Sequence, residues 1–206
     1  DFSFYQIAKD YPISNKEHGI DFLLDNRHLW LRSPRQWAIQ RVRDTLIHAT
    51  YDFMRQNAFT KIDSPIITAN AGENTTDLFK VKYFDETTYL SQTGQLYIEA
   101  AIAAHGRVFD FGPTFRAEKS KTRRHLTEFW MMDAEMAFID LNGNLDTQEN
   151  LIRFMVQAVL EKNAAELEIL ERDTAPLQNI TNPFYRISHA EAIAKQEFSQ
   201  LGYTEI

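Results

Sequence analysis

Several residue types and patterns are scarce in this chain of 206 residues. It contains no cysteine, which excludes disulfide frameworks and thiolate metal sites. No apolar run reaches the roughly 20 residues that a membrane-spanning helix needs, and no signal-peptide pattern opens the sequence. These absences predict a cytoplasmic protein without a membrane partner.

Positive charge is also in short supply, because 22 Lys and Arg residues face 29 Asp and Glu residues, for a net charge of −7. The total charge therefore does not indicate a nucleic-acid partner, although clustered basic residues can still form a local site. The seven glycines form neither a GxGxxG nor a GxxxxGK pattern. Any nucleotide site in this chain must be built from side chains on a scaffold.

The order of periodic segments predicts an α+β fold with mainly antiparallel strands. Ser33 and Pro34 predict the start of a helix that continues to Asn57. Residues 10–32 are predicted to be irregular. Strands are predicted at 59–63, 78–90 (a hairpin), 108–118 and 126–139, and further helices at 92–104, 146–172 (with Asp146 as its cap) and 189–200.

The helix from Pro34 carries one apolar stripe, formed by Ile39, Val42, Leu46, Ala49 and Phe53. We expect this stripe to need a partner surface, and a symmetric homodimer through residues 34–65 would supply it.

The strongest candidate site is the segment around Arg116 and Glu118. An arginine held on a strand suits a phosphate, since its planar fork can donate two parallel hydrogen bonds. Five of the seven residues from Lys119 to His125 are basic. A solvated hairpin tip explains such a charge run, but the adjacent Arg-x-Glu pair favours a site for a polyphosphate or an RNA end.

A second candidate is the pair Gln95 and Glu99, which lie four apart at the start of a predicted helix and share one face. The alternative is an ordinary surface pair, and periodicity alone does not separate the two. Phe129 is predicted to be either core or a stacking platform for a base. Trp130, Met131 and Met132 are predicted to be core residues.

These segments resemble class II aminoacyl-tRNA synthetases. Residues 34–65 are similar to motif 1 of that family, which builds a dimer interface, and Pro65 falls in it. Residues 108–139 are similar to motif 2, which binds ATP and the tRNA acceptor end. Within the aspartate, asparagine and lysine subgroup, strings such as Ser91-Gln92-Thr93-Gly94-Gln95-Leu96-Tyr97 and Thr122-Arg123-Arg124-His125-Leu126 most resemble the asparagine enzymes.

The resemblance implies a class II antiparallel sheet flanked by helices, with residues 1–33 as a hinge or linker and 34–206 as the N-terminal part of the catalytic domain. It implies asparagine–tRNA ligase activity, with ATP, L-asparagine and tRNA(Asn) as partners. The implied catalytic residues are Arg116 and Glu118. The implied ATP-binding residues are Arg116, Glu118, Arg124, His125 and Phe129, and the implied amino-acid-binding residues are Glu73, Gln95 and Glu99.

Some family features differ or are missing. Ile98 stands where aspartate enzymes have a lysine that pairs the substrate carboxylate, so aspartate should be disfavoured. Motif 3, the acidic residues that bind Mg²⁺ and the anticodon-binding barrel have no counterpart in these residues. We therefore expect part of a longer protein or a degenerate relative, and we expect the 206 residues alone to be inactive.

Two other functions remain open on the sequence. One is an asparagine synthetase-like relative that activates aspartate and amidates it, against which Ile98 and Glu99 argue. The other is a non-catalytic synthetase-like module used for dimerisation or regulation. The missing motif 3 fits that module, whereas the intact motif 2 does not.

Overall fold

The computed structural model describes residues 11–69, 78–119 and 125–195. The helices are α1 (Ile20–Asp25), α2 (Arg27–Trp30), α3 (Pro34–Gln56), α4 (Gln95–His105), α5 (Leu141–Lys162), α6 (Ala164–Ile169), α7 (Ala175–Gln178) and α8 (His189–Lys195), with a 3₁₀ turn at Asn179–Thr181. The strands are β1 (Thr60–Lys61), β2 (Ile67–Thr68), β3 (Lys80–Tyr83), β4 (Glu86–Leu90), β5 (Arg107–Phe115) and β6 (Glu128–Met136).

Within the described residues the strands form two three-stranded sheets, ordered β1-β5-β6 and β2-β4-β3. The central ladder joins β5 and β6 antiparallel, from the pair Arg107 and Met136 to the pair Phe115 and Glu128. β1 adds a short parallel pairing to β5. The predicted α+β fold with mainly antiparallel strands is confirmed.

Helix α3 follows its sequence signals closely. The Ser33 hydroxyl accepts from the backbone N–H of Gln36 at 3.4 Å, and Pro34 occupies the first turn. At the other end, the Asn57 side-chain amide donates to the Phe53 carbonyl at 2.8 Å and closes the last turn. The predicted bounds are therefore correct within a residue.

The core lies between α3, α5 and one face of the β5–β6 ladder. Its buried residues are Phe53, Met54, Phe59, Phe109 and Leu151. Partly buried neighbours complete it, namely Tyr51, Phe111, Met132, Ala134, Met136, Phe154 and Met155. Met132 is thus a core contributor as predicted, whereas Trp130 is 58% exposed and touches Phe111 edge-on.

Part of the apolar stripe of α3 packs against the core of its own chain, and the expectation that the stripe also contacts a second copy stays a prediction. Ala49 and Phe53 are buried, and the Phe53 ring lies 5.7 Å from that of Phe154 on α5. Helices α5 and α6 cover this side of α3. The same chain thus buries the C-terminal end of the stripe, whereas Ile39, Val42 and Leu46 are half-buried.

Three boundary predictions were wrong. Residues 20–30 form two short helices rather than an irregular segment. Helix α5 begins earlier than predicted, because the carboxylate of Asp140, not Asp146, accepts from the backbone N–H of Gly143 at 2.8 Å. It also ends at Lys162, where Asn163 separates it from α6.

The strands β5 and β6 are shorter than predicted. They end at Phe115 and begin at Glu128, so Arg116 and Glu118 lie beyond the regular ladder. Among the described residues, no helix is long and apolar enough to cross a bilayer.

Candidate active site

Side chains alternate along each strand, and the face of the β5–β6 ladder opposite the core, here called the polar face, holds the acidic side chains of the ladder beside the apolar Val108 and Met131. It carries Asp110 and Thr114 from β5, and Phe129, Asp133 and Glu135 from β6. In the register, Asp110 lies opposite Asp133 and Thr114 lies opposite Phe129. Helix α4 packs on both strands, and its first turn contacts this face.

The start of α4 is fixed to the sheet by hydrogen bonds to one carboxylate. Asp133 Oδ2 accepts from the Thr93 hydroxyl at 2.7 Å and from the Gly94 backbone N–H at 3.1 Å. Thr93 Oγ1 in turn accepts from the Gln95 backbone N–H at 3.0 Å. The Asp133 carboxylate is therefore held in a set orientation at the helix N-terminus, where partial positive charge favours it.

Further carboxylates lie next to Asp133 and make this face acidic. The pKa of Glu135 is raised by burial and then by the charges of Glu99 and Asp133. Glu99 Oε1 also accepts from the Gln95 side-chain amide at 2.9 Å. A surface rich in acceptors and negative charge suits an ammonium or an amide NH₂ and opposes a second carboxylate.

Arg116 lies where the polar face meets the start of α4. Its backbone N–H donates to Thr127 at 2.9 Å, so the ladder continues one bond past the strand end. Its guanidinium donates to the Gln92 carbonyl and lies 5.4 Å from the ring centroid of Phe129. The cation and the aromatic face that the sequence predicted separately are therefore adjacent.

The other predicted site residues are placed less closely together. Glu118 and His125 are exposed and flank residues 120–124, which the structure does not describe. Arg124 and Glu73 fall outside the described residues. Pro65 is exposed and lies between β1 and β2, and its place in a dimer interface stays a prediction.

Ile98 and Glu99 are neighbours with opposite environments. Ile98 is fully buried, whereas Glu99 is exposed and bonded to Gln95. The surface i,i+4 pair that competed with a binding role is thus present in the structure. The charge of Glu99 also helps to raise the pKa of Glu135, so Glu99 is coupled electrostatically to the polar face.

Asp110, Asp133 and Glu135 were missed by sequence reasoning. A usable signal was present in the alternation of residues 132–136, where Met132, Ala134 and Met136 share one face and Asp133 and Glu135 share the other. Asp133 and Glu135 lie in β6, which pairs with β5, the strand that ends just before Arg116. Register alone would have brought them to the candidate site.

The residues present fit a nucleotide better than a metal. Arg116 offers a planar cation for a phosphate, and the adjacent Phe129 ring offers a surface for a base. Within the described ranges, no group of three or more His, Asp or Glu side chains is arranged to hold a metal ion. The Mg²⁺ ligands were expected outside these residues, so that expectation stays a prediction.

The sequence matches a known class of enzymes. A family model described as tRNA synthetases class II (D, K and N) matches residues 19–202. The chain therefore belongs to this family of class II aminoacyl-tRNA synthetases, and the resemblance inferred from motifs 1 and 2 is confirmed.

Particular relatives point to one branch. The chain is 60% identical over 187 residues to asparagine–tRNA ligases of Lactococcus lactis subsp. cremoris and subsp. lactis. Each alignment covers 90% of this chain but 42% of the relative. The chain thus spans less than half the length of the curated relatives it matches.

Solved structures agree in fold. Asparaginyl-tRNA synthetase from Pyrococcus horikoshii, complexed with asparaginyl-adenylate, superposes with a TM-score of 0.89 at 40% identity, covering 98% of this chain and 46% of that one. The Entamoeba histolytica asparaginyl enzyme gives 0.76 at 33% identity, covering 90% and 40%. The aspartyl enzyme of that organism gives 0.70 at 29% identity, covering 96% and 36%.

Proposed function

We propose that this chain forms part of the catalytic domain of a cytoplasmic asparagine–tRNA ligase. The reaction activates L-asparagine with ATP and transfers it to tRNA(Asn). The observation that carries the proposal is the polar face, where Arg116 and Phe129 adjoin Asp133, Glu135 and Glu99. This arrangement combines a phosphate and base site with an acceptor-rich amino-acid site.

The acidic face selects among the family's three amino acids by charge. Asparagine presents an α-ammonium and a side-chain amide, and both donate hydrogen bonds to carboxylates. Asp133, whose orientation is set by Thr93 and Gly94, is the proposed acceptor for the ammonium. Glu99 and Glu135 lie close enough to influence one another and would accept from the amide. Aspartate would place a second carboxylate against them, at an electrostatic cost.

Activation requires positioning and charge stabilisation more than a protein nucleophile. The asparagine carboxylate attacks the α-phosphorus of ATP, a P–O bond forms, and pyrophosphate leaves. Arg116 would bind the α-phosphate and stabilise its developing charge, while Phe129 would stack on adenine. Glu118, Arg124, His125, Gln95 and Glu73 keep the roles that the family resemblance implies.

Transfer to tRNA follows from the same site. A ribose hydroxyl of the terminal adenosine attacks the carbonyl carbon of the adenylate, and AMP leaves. Mg²⁺, when bound, would neutralise phosphate charge. Held next to Phe129, Arg116 would remain with the α-phosphate as AMP departs.

Homodimerisation is proposed through residues 34–65, with the outer face of α3 forming part of the contact. On that face Trp37 is 48% exposed and Ile47 is 38% exposed. A mainly apolar cavity of about 540 Å³ adjoins it, lined by residues that include Ile47, Tyr51 and Phe59. An isologous contact would cover these groups, and sedimentation of the protein as a stable monomer at micromolar concentration would contradict it.

The test is ATP–pyrophosphate exchange by the product of the whole reading frame that encodes this chain. Asparagine should support exchange well above aspartate and lysine, and tRNA(Asn) should then be charged. Exchange with aspartate followed by its amidation would favour the asparagine synthetase-like alternative. Binding of a second copy without exchange for any amino acid would favour the non-catalytic module.

A further inference from the structure

We propose that Lys61 and Asp110 form a positioning pair that holds the Thr93–Gly94 turn against Asp133 and so sets the affinity for the amino-acid substrate. The inference rests on the proposed function, because it assigns roles to residues behind the same site. Both would act through Asp133 and the turn rather than by touching substrate.

Gly94 is held on three sides. Its N–H donates to Asp133 Oδ2 at 3.1 Å, and its carbonyl accepts from the Ser64 hydroxyl at 3.3 Å. A Cβ added to Gly94 would clash with the Asp110 carboxylate and would lie 2.6 Å from Ser64 Oγ. The backbone of the turn is therefore packed directly against Asp110, so a shift of that carboxylate is transmitted to Thr93 and Gly94.

Asp110 is an unusual residue to find in this position. It is 8% exposed and lies opposite Asp133 in the ladder. Two carboxylates so placed repel one another, and burial adds to the cost of their charge. A cation close to Asp110 would offset this repulsion beside the turn.

Lys61 supplies that cation from β1. Its Nζ lies 3.9 Å from Asp110 Oδ1 and also contacts Asp63, whose side chain is 91% exposed. Burial acts to lower the pKa of Lys61, but Asp63, Tyr51 and Asp110 together raise it, so the side chain is positive at neutral pH. Lys61 thereby links the exposed end of β1 with the buried carboxylate under the turn.

Loss of Lys61 leaves the charge of Asp110 uncompensated next to Asp133. The Asp110 side chain must then move away from Asp133, and that movement disturbs its packing against Gly94. Gly94 and Thr93 bond directly to Asp133, whereas Arg116 bonds to this segment at the preceding Gln92 carbonyl, so the amino-acid end of the site is affected more than the Arg116–Phe129 end. The predicted signature is a change in asparagine binding with ATP binding preserved.

The experiment is a double-mutant cycle in the protein expressed from the whole reading frame, read out as KM for asparagine, KM for ATP and kcat of pyrophosphate exchange. Lys61→Met should raise KM for asparagine about fivefold or more and leave KM for ATP within about twofold. In the Asp110→Asn background, the same Lys61→Met change should raise KM for asparagine by no more than about twofold. If Lys61→Met raised KM for asparagine equally in the wild-type and Asp110→Asn proteins, Lys61 and Asp110 would not act as a pair and the proposal would be overturned.

Two variants separate the pair from general effects. Lys61→Arg keeps the positive charge and should restore KM for asparagine. Asp63→Asn removes the other carboxylate at Lys61 and should leave that KM unchanged. Melting temperatures report folding independently, and a loss of melting temperature without a change in KM for asparagine would also overturn the proposal. Absence of exchange by the wild-type protein with asparagine, aspartate or lysine would instead reject the proposed function.

Discussion

The two faces of the β5–β6 ladder are built from alternating residues of the same strands, but one face forms the core and the other forms the candidate site. One face packs Phe109, Met132 and Ala134 against α3 and α5. The other presents Asp110, Asp133 and Glu135 toward α4 and the candidate site. Burial of the first face stabilises the fold, whereas desolvation of carboxylates on the second costs stability and creates a binding surface.

Consecutive residues of one strand can therefore have different roles, one in folding stability and the next in the candidate site. Met132 and Asp133 are consecutive, but one belongs to the core and the other orients the start of α4. Substitutions on the two faces should therefore affect different measurements. The largest expected effect is on the apolar face.

Phe109→Ala should destabilise the protein by removing a large side chain from the apolar face. Phe109 is 3% exposed and lies at the centre of the core cluster, with its ring 5.6 Å from that of Tyr51. Loss of the ring should lower the free energy of unfolding by about 3–5 kcal/mol, because a cavity remains. Denaturant titration measures it, and Phe84→Ala, at a residue 79% exposed, is the control expected to change little.

Arg116→Ala should remove the proposed phosphate-binding cation of the polar face. A positioned cation on a developing phosphate charge contributes about 3 kcal/mol or more, so exchange with asparagine should fall roughly a hundredfold. Arg172→Ala removes an exposed arginine elsewhere and is the matched control. Retention of activity within a few-fold of wild type would reject the phosphate role of Arg116.

Glu99→Gln sharpens the comparison at the amino-acid end. The carboxylate accepts from an amide NH₂ and repels a carboxylate, whereas glutamine can also donate to one. The ratio of kcat/KM for asparagine over aspartate should fall by about tenfold, within the range that one polar contact with a substrate contributes. An unchanged ratio would leave Glu99 as a surface partner of Gln95 and nothing more.

Glu135→Gln should give the smallest effect, and it depends on pH. Because the folded-state pKa of Glu135 is raised, the folded protein holds its proton to higher pH than the unfolded chain does. Its contribution is most favourable below the unfolded pKa and is lost as pH rises through the folded pKa. The variant should therefore melt higher than wild type at pH 7, with the difference shrinking toward pH 4. A constant difference would contradict the shift.

The sequence predicted the parts of this fold whose signals are local. Ser33 and Pro34 located the start of α3, and the hairpin predicted at residues 78–90 corresponds to β3 and β4. The start of α5 was misplaced because Asp140 and Asp146 are both plausible caps, and tertiary contacts decided between them. The packing of the α3 stripe against its own chain was not predictable in detail either, because it depends on where α5 and α6 lie in the fold.

The site was predictable where a family motif spans it and not elsewhere. Arg116 and Phe129 were identified from motif 2, and the structure brings them together. Asp110 belongs to no local pattern that signals binding, and for Asp133 the alternation of residues 132–136 indicates only which face of the strand it shares with Glu135. Their importance arises from strand register and from the approach of Gly94, both of which are long-range properties.

The most direct test compares Met132→Ala with Asp133→Asn in the full-length protein. Melting temperature and asparagine-dependent pyrophosphate exchange are measured for both, below the lower melting temperature. The predicted result is that Met132→Ala lowers the melting temperature and keeps exchange, whereas Asp133→Asn keeps the melting temperature and loses exchange. If both properties fall together in each variant, the two faces are not separable in function and this account is wrong.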